Sequence, residues 1–256
     1  AAARAPLASA VEMPSPAEEQ EQSSPLQDSM AIANGFREIR AVHDEATVRV
    51  YQAYNDEIAD TAVAANSFQG ALDAGVWSLS RMSWVKPSAV WMAYRCGWTT
   101  LKDKNQRRVL ALDLSRPRFE ELLMGARLSH GGSAAKCKEG FVTVQWDPER
   151  VMHPAAEAKQ VLTRGLSSVR SIQVGMRGGS WLADSANVLQ ITDVTDRFRG
   201  AVKALEAGDV EAAAIALWPQ EQERPMEVAR ALRAVLEMDP TPTDEARGRC
   251  AAASPW

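Results

Sequence analysis

The run RRVLALDL, residues 107–114, most limits what this chain can become. Successive side chains of a strand point to opposite faces, so Val109 and Ala111 lie on one side while Leu110, Leu112 and Leu114 lie on the other. Apolar on both faces, such a strand belongs at the centre of a sheet. The rest of the sequence must therefore supply elements that flank it.

Those elements are legible between two polar ends. TVRVYQAY, Thr47–Tyr54, alternates in the period of a strand, and the REIRAV segment before it is expected to pair with it. EIADTAVAAN predicts a short helix with Asn55 or Asp56 as its cap. KPSAVWMAYRCG predicts a second, with Pro87 as first helical residue, Val90, Trp91 and Tyr94 on one side, and Gly97 at a left-handed end. After the central strand, Pro117 opens a helix whose Phe119, Leu122, Leu123 and Ala126 recur at helical spacing. A glycine-rich loop at 131–140 leads to the strand FVTVQW, and VRSIQV (169–174) and VLQIT (188–192) are further strands. Helices at Thr195–Ala207 and Asp209–Leu217 close the pattern. Strands and helices intermingle without regular βαβ alternation, which predicts an α+β fold: one domain with a mixed, mainly antiparallel sheet packed by helices.

The domain is expected over residues 36–228. Residues 1–35, rich in Ala, Pro, Ser, Gln and Glu, cannot bury enough apolar surface to offset ordering entropy and are expected to be a disordered tail. Residues 229–256 are expected to hold a helix end and a second such tail. A hydrophobic content of 46% supports a substantial core, and a net charge of −4 argues against a surface that attracts nucleic acid or anionic lipid everywhere. No apolar run approaches the roughly 20 residues of a membrane span. Cys96, Cys137 and Cys250 are odd in number and far apart, which suits reduced thiols and an intracellular, cytoplasmic location. Import into an organelle stays open, although Glu18, Glu19 and Glu21 are unlike a transit peptide. His43, His130 and His153 have no ligand spacing, so no metal is expected.

The segments YQAYNDEIAD, RMSWVKPSAVWMAYRCGW, VQWDPER and VRSIQVGM resemble, in order, the family known as domain of unknown function 4291, and the resemblance runs from Ile39 to about Pro219. It implies boundaries and motifs but no reaction. His43, Ser83 and Cys96 depart from the family's common residues. SWLADSANVLQITDVTD replaces a segment usually richer in aromatic residues, which leaves the packing of that edge least defined.

The chemistry must come from the residues. Arg81, Lys86 and Arg95 are interleaved with Trp84, Trp91, Tyr94 and Trp98, a mixture that binds phosphate through cations and stacks a ring on an indole. The competing reading makes the tryptophans core and lets the cations reach water. In VQWDPER a strand is expected to run into an Asp-Pro turn, leaving Asp147, Glu149 and Arg150 at its end, with Asp147 as a general base or ribose acceptor. The competing reading is a turn with a solvated Glu–Arg pair. Arg170 shares a face with Ile172 and needs an anionic partner, while Gln173 shares the other face with Ser171. Arg40, His43 and Tyr51 loosely permit the layout of ADP-ribosyltransferases. No dinucleotide-binding glycine motif, P-loop or nucleophile elbow is present.

The resulting expectation is an enzyme acting on a nucleotide-like or NAD-like phosphorylated ligand. Asp147 and Tyr51 are its catalytic candidates, and Arg40, Lys86, Arg95, Trp98, Arg150, Arg170 and Gln173 its ligand contacts. The cofactor would be NAD or another nucleotide, and the partner an anionic small molecule. The alternative is a non-catalytic module binding RNA in a basic, aromatic-lined cleft.

Overall fold

The computed structural model describes residues 37–80, 82–100, 104–129, 142–154, 162–220 and 222–238. Both expected tails, the glycine-rich loop and Arg81 lie outside these residues. The chain begins with strands β1 (Arg37–Glu38), β2 (Arg40–Ala41) and β3 (Thr47–Tyr54), followed by helices α1 (Asp56–Ala65) and α2 (Phe68–Asp73). Next come β4 (Met82–Val85), α3 (Ala89–Cys96), β5 (Arg108–Ser115), α4 (Arg116–Met124) and β6 (Ala126–Leu128). Two long strands, β7 (Val142–Met152) and β8 (Thr163–Arg177), lead to α5 (Ser180–Ala183) and β9 (Val188–Asp193). Helices α6 (Thr195–Glu206) and α7 (Val210–Leu217), strand β10 (Arg224–Pro225) and helix α8 (Arg230–Val235) complete the order.

The central strand is where its pattern puts it. β5 lies between β3 and β9 in an antiparallel three-stranded sheet. Its Leu110, Leu112 and Leu114 enter one core, and its Val109 and Ala111 enter a second on the other face. Each fully buried leucine contributes about 1.5–3 kcal/mol, so neither face can be left uncovered. The first core is shared with the larger sheet, ordered β1-β8-β7-β6 with β4 on the far length of β8. Two of its pairings are parallel and two antiparallel, and with the smaller sheets this gives a mixed, mainly antiparallel α+β domain. The second core is closed by α3, α6 and α7. The sheets meet at Tyr51 and Lys86, whose backbones exchange hydrogen bonds of 2.7 and 3.2 Å.

Several local expectations are corrected. REIRAV does not form a ladder with β3: β1 pairs with β8 and β2 with β10, while β3 is met at the His43–Val48 bridge, where the Arg49 N–H donates to the Val42 carbonyl at 2.9 Å. Pro87 precedes α3, because Ser88 caps it by accepting the Trp91 N–H at 3.2 Å. The buried face of α3 is Ala89, Val90, Met92, Ala93 and Cys96, leaving Trp91 half-buried and Tyr94 exposed. Asp-Pro makes no turn: β7 runs through it, and the register shifts between Pro148 and Arg150, a bulge that tolerates a residue without an N–H. Ala126 belongs to β6 rather than to the preceding helix. The edge formed by SWLADSANVLQITDVTD packs well, with Leu182, Val188 and Ile191 buried. The core also extends beyond residue 228, since Leu232, Leu236 and Met238 fill it. Among the described residues no helix is long and apolar enough to cross a membrane.

Candidate functional site

The alternation of the large sheet builds the floor of a cleft. Val144, Ile172, Val174 and Met176 face the first core, so the intervening residues face the other way. There the register sets Gln145 opposite Gln173, Thr143 opposite Gly175, and Asp147 opposite Ser171, with Trp84 beside Gly175. Glycine is required at 175 by crowding: a Cβ there would sit 2.7 Å from the Trp84 ring, so the indole lies directly on the backbone. Helix α3 and the short 3-10 turn Lys104–Gln106 form the wall. Together with Gln52 and Tyr54 of β3, the lining includes Trp84, Lys86, Trp91, Arg95, Gln145 and Gln173, around a cavity of about 450 Å³. A second lobe of about 320 Å³ adjoins it through Ala53, Tyr54 and Asn105.

Lys86 is the most constrained group of this site. Its side chain is 0% exposed, its Nζ lies 3.1 Å from Asp147 Oδ2, and the same Nζ lies 3.7 Å from the centroid of the Trp91 ring. Burial pushes its pKa down to about 8, against the pull of Asp147 and Glu149. Arg95 is exposed at the mouth, where its Nη1 donates to Gln106 Oε1 at 3.3 Å. Gln52 is already committed: its Nε2 donates to the Trp84 carbonyl and its Oε1 accepts from the Tyr54 hydroxyl, both at 2.9 Å. Gln173 differs, because its Oε1 is buried and accepts nothing from the described residues.

Beneath α3 lies a buried acid cluster. Glu223 Oε1 accepts the Ala89 N–H at 2.7 Å, and Glu149 Oε1 accepts the Ser88 hydroxyl at 2.8 Å and the Arg150 N–H at 2.7 Å. Carboxylates suit a helix N-terminus, where N–H groups are unmet. Burial nevertheless holds Glu223 well above the usual carboxylate range, and the neighbouring Glu149 adds to this. Arg40 lies 2.9 Å from Glu38, whose pKa burial also raises.

The candidates from sequence divide accordingly. Lys86, Arg95 and Gln173 converge on the cleft, and Asp147 lies beside it as the ion-pair partner of Lys86. Tyr51, a catalytic candidate, and Trp98, a ligand contact, are instead in the second core, 4% and 0% exposed, each against Phe198. Burial raises the Tyr51 pKa, which keeps its hydroxyl protonated. Arg40 is buried against Glu38 and does not line the cleft. Arg170 lies opposite Pro148 and Arg37, one residue out of phase with Gln173 and therefore on the other face of β8. Arg150 stacks on Tyr94 at 3.2 Å and its Nη1 donates to Thr163 Oγ1 at 3.1 Å, outside the cleft. Glu149 is 1% exposed, not a solvated partner of Arg150.

Sequence reasoning missed Gln52, Gln145, Asn105, Gln106 and Glu223. Gln145 could have been found, since it shares a strand face with Asp147, whereas Glu223 is placed only by tertiary folding. Among the described residues no group of three or more His, Cys, Asp or Glu side chains is arranged to hold a metal. No curated protein was found to match the chain. A family model does match it, across residues 38–224 and so across every cleft residue named above; the chain belongs to the family described as Domain of unknown function (DUF4291).

Proposed function

We propose that this protein is an enzyme acting on a nucleotide-like phosphorylated ligand held in the cleft between α3 and the β4-β8-β7 floor. One observation carries the reading: a cation at the mouth, two indoles and a set of side-chain amides share a single cavity. Its volume of about 450 Å³ is within the roughly 300–1,000 Å³ of small-molecule sites. Arg95 meets the phosphate, since a guanidinium donates to phosphate oxygens in two-point fashion. Trp84 and Trp91 flank a planar ring. Lys86 adds positive potential from below, although Trp91 and Asp147 cover its ammonium. Asp147, 30% exposed and held by Lys86, is the group positioned to take a proton from a ligand hydroxyl.

Calorimetric titration of the protein with NAD, mononucleotides and inorganic phosphate tests this. Binding of at least one nucleotide is expected, with Arg95→Ala abolishing it and leaving the melting temperature unchanged, because Arg95 is exposed. Absence of nucleotide binding defeats the proposal. Affinity confined to long RNA, with a steep loss on adding salt, would instead indicate a nucleic-acid module.

A further inference from the structure

We infer that the floor of the cleft recognises a planar ring edge bearing an N–H donor beside an acceptor, as in an aminopurine or a ring carboxamide, through Gln173 and Gln145. This rests on the nucleotide reading above and names the part of the ligand that the floor selects.

Buried polar atoms in folded proteins almost always have partners, and an exception marks a place where something else supplies one. Gln173 Oε1 is buried and accepts no hydrogen bond from the described residues. The neighbouring Gln52 shows the contrast: it faces the same cavity, yet both ends of its amide are engaged within the protein. Gln173 lines that cavity, and its Oε1, which has almost no accessible surface, meets a ligand by rotation of the amide about its last, broadly populated torsion.

Gln145 strengthens the case. It is directly opposite Gln173 in the β7-β8 register and lines the same cavity. Directly paired residues have Cβ atoms about 4.5–5.5 Å apart, so the two amides stand side by side. An amide offers one acceptor and one donor in a plane, and it pairs at two points with an edge that carries the complementary pair. Next along this face, Trp84 lies on Gly175 and offers an indole as a platform. A ring stacked against that indole presents its edge to the glutamines, leaving its phosphate to extend toward Arg95.

Matched ligands test the assignment, with titration of the full chain by AMP against purine riboside monophosphate, which lacks the amino group, and by nicotinamide mononucleotide against nicotinic acid mononucleotide. Each pair differs at the group that donates. The donor-bearing member of at least one pair is expected to bind roughly tenfold more tightly, because its partner leaves a buried acceptor unmet. Gln173→Leu should bring that pair within about twofold. Gln145→Leu, on the half-buried neighbour, provides the same readout should Gln173→Leu fold poorly. Equal affinity within both pairs, or discrimination that survives both variants, overturns the inference and leaves the nucleotide reading standing. No binding by any of the four ligands overturns both.

Discussion

Asp147→Asn probes the buried ammonium of Lys86. Lys86 has an ordinary pKa of 10.5 and is held at about 8, which at about 1.4 kcal/mol per unit is a cost of about 3 kcal/mol for keeping the ammonium charged in place. Asp147 and Trp91 already offset part of the burial. Removing the carboxylate charge leaves the ammonium with Trp91, a contact worth up to about 2 kcal/mol. Loss of one member of a buried pair costs about 3–5 kcal/mol, and the lower end applies because Asp147 is 30% exposed. That cost is not reached at neutral pH, because the variant can release the Lys86 proton instead, which limits its deficit there to about 1.4 kcal/mol. The sign of the pH effect follows from the lowered pKa. Between about 8 and 10.5 the unfolded chain holds a proton that the folded chain has released, so this group's contribution to stability rises with pH across that window. The deficit of Asp147→Asn, which needs the charged ammonium, should shrink as pH rises to about 8 and stay constant across that window. Lys86→Met, which replaces the charge with an apolar chain of similar length, should flatten the rise and stay within about 1 kcal/mol of the parent at neutral pH. Urea unfolding of the three proteins from neutral pH through that window supplies the data. Equal midpoints for Asp147→Asn and the parent at every pH would refute the buried pair.

Glu223→Gln keeps an oxygen for the Ala89 N–H but cannot ionise. Because burial raises the Glu223 pKa, its contribution is full below about 4.5 and is lost as pH rises through the folded value, so the variant should gain on the parent with rising pH in denaturant titrations. Gly175→Val should lower stability by about 1–3 kcal/mol through overpacking, and should weaken nucleotide binding relative to the parent in the same titration, because Trp84 must leave the floor. Leu123→Ala should cost about 2–5 kcal/mol in thermal or urea unfolding, whereas the half-buried Leu122→Ala should cost clearly less.

The elements of this fold were legible where a single chain segment decides them. The two-sided apolar pattern of β5 placed it centrally, and Gly97 ended α3 with the expected left-handed geometry. What failed depended on partners distant in sequence. REIRAV has strand character, but nothing in it states that β1 would join β8 and β2 would join β10. Pro148 reads as a turn residue locally, and only the facing strand converts it into a bulge. The cleft was half legible: Lys86, Arg95 and Gln173 were found through charge and strand phase. Tyr51 and Trp98 were misplaced because an aromatic side chain carries no sign of whether it will face a cavity or a helix such as α6. Phase also separated Arg170 from Gln173, a separation that their odd spacing of three residues in the sequence already contained.

The cap on α3 has a consequence for how the chain is made. Trp91 and Arg95 reside on this helix, yet its Ala89 N–H is satisfied by Glu223, 134 residues later. Synthesis runs from the N-terminus, so a ribosome releases every cleft residue while Glu223 is still to be translated. Until then the start of α3 lacks that acceptor, and β2 lacks the strand β10 that pairs with it. The first core also waits for Met226, Leu232, Leu236 and Met238. A nascent or prematurely stopped chain ending near Trp218 would thus contain the complete set of cleft side chains with a loosened wall and exposed apolar surface, a form that chaperones and proteases engage. The wall of the cleft is thus completed by residues 223–238 rather than by those that line the cavity.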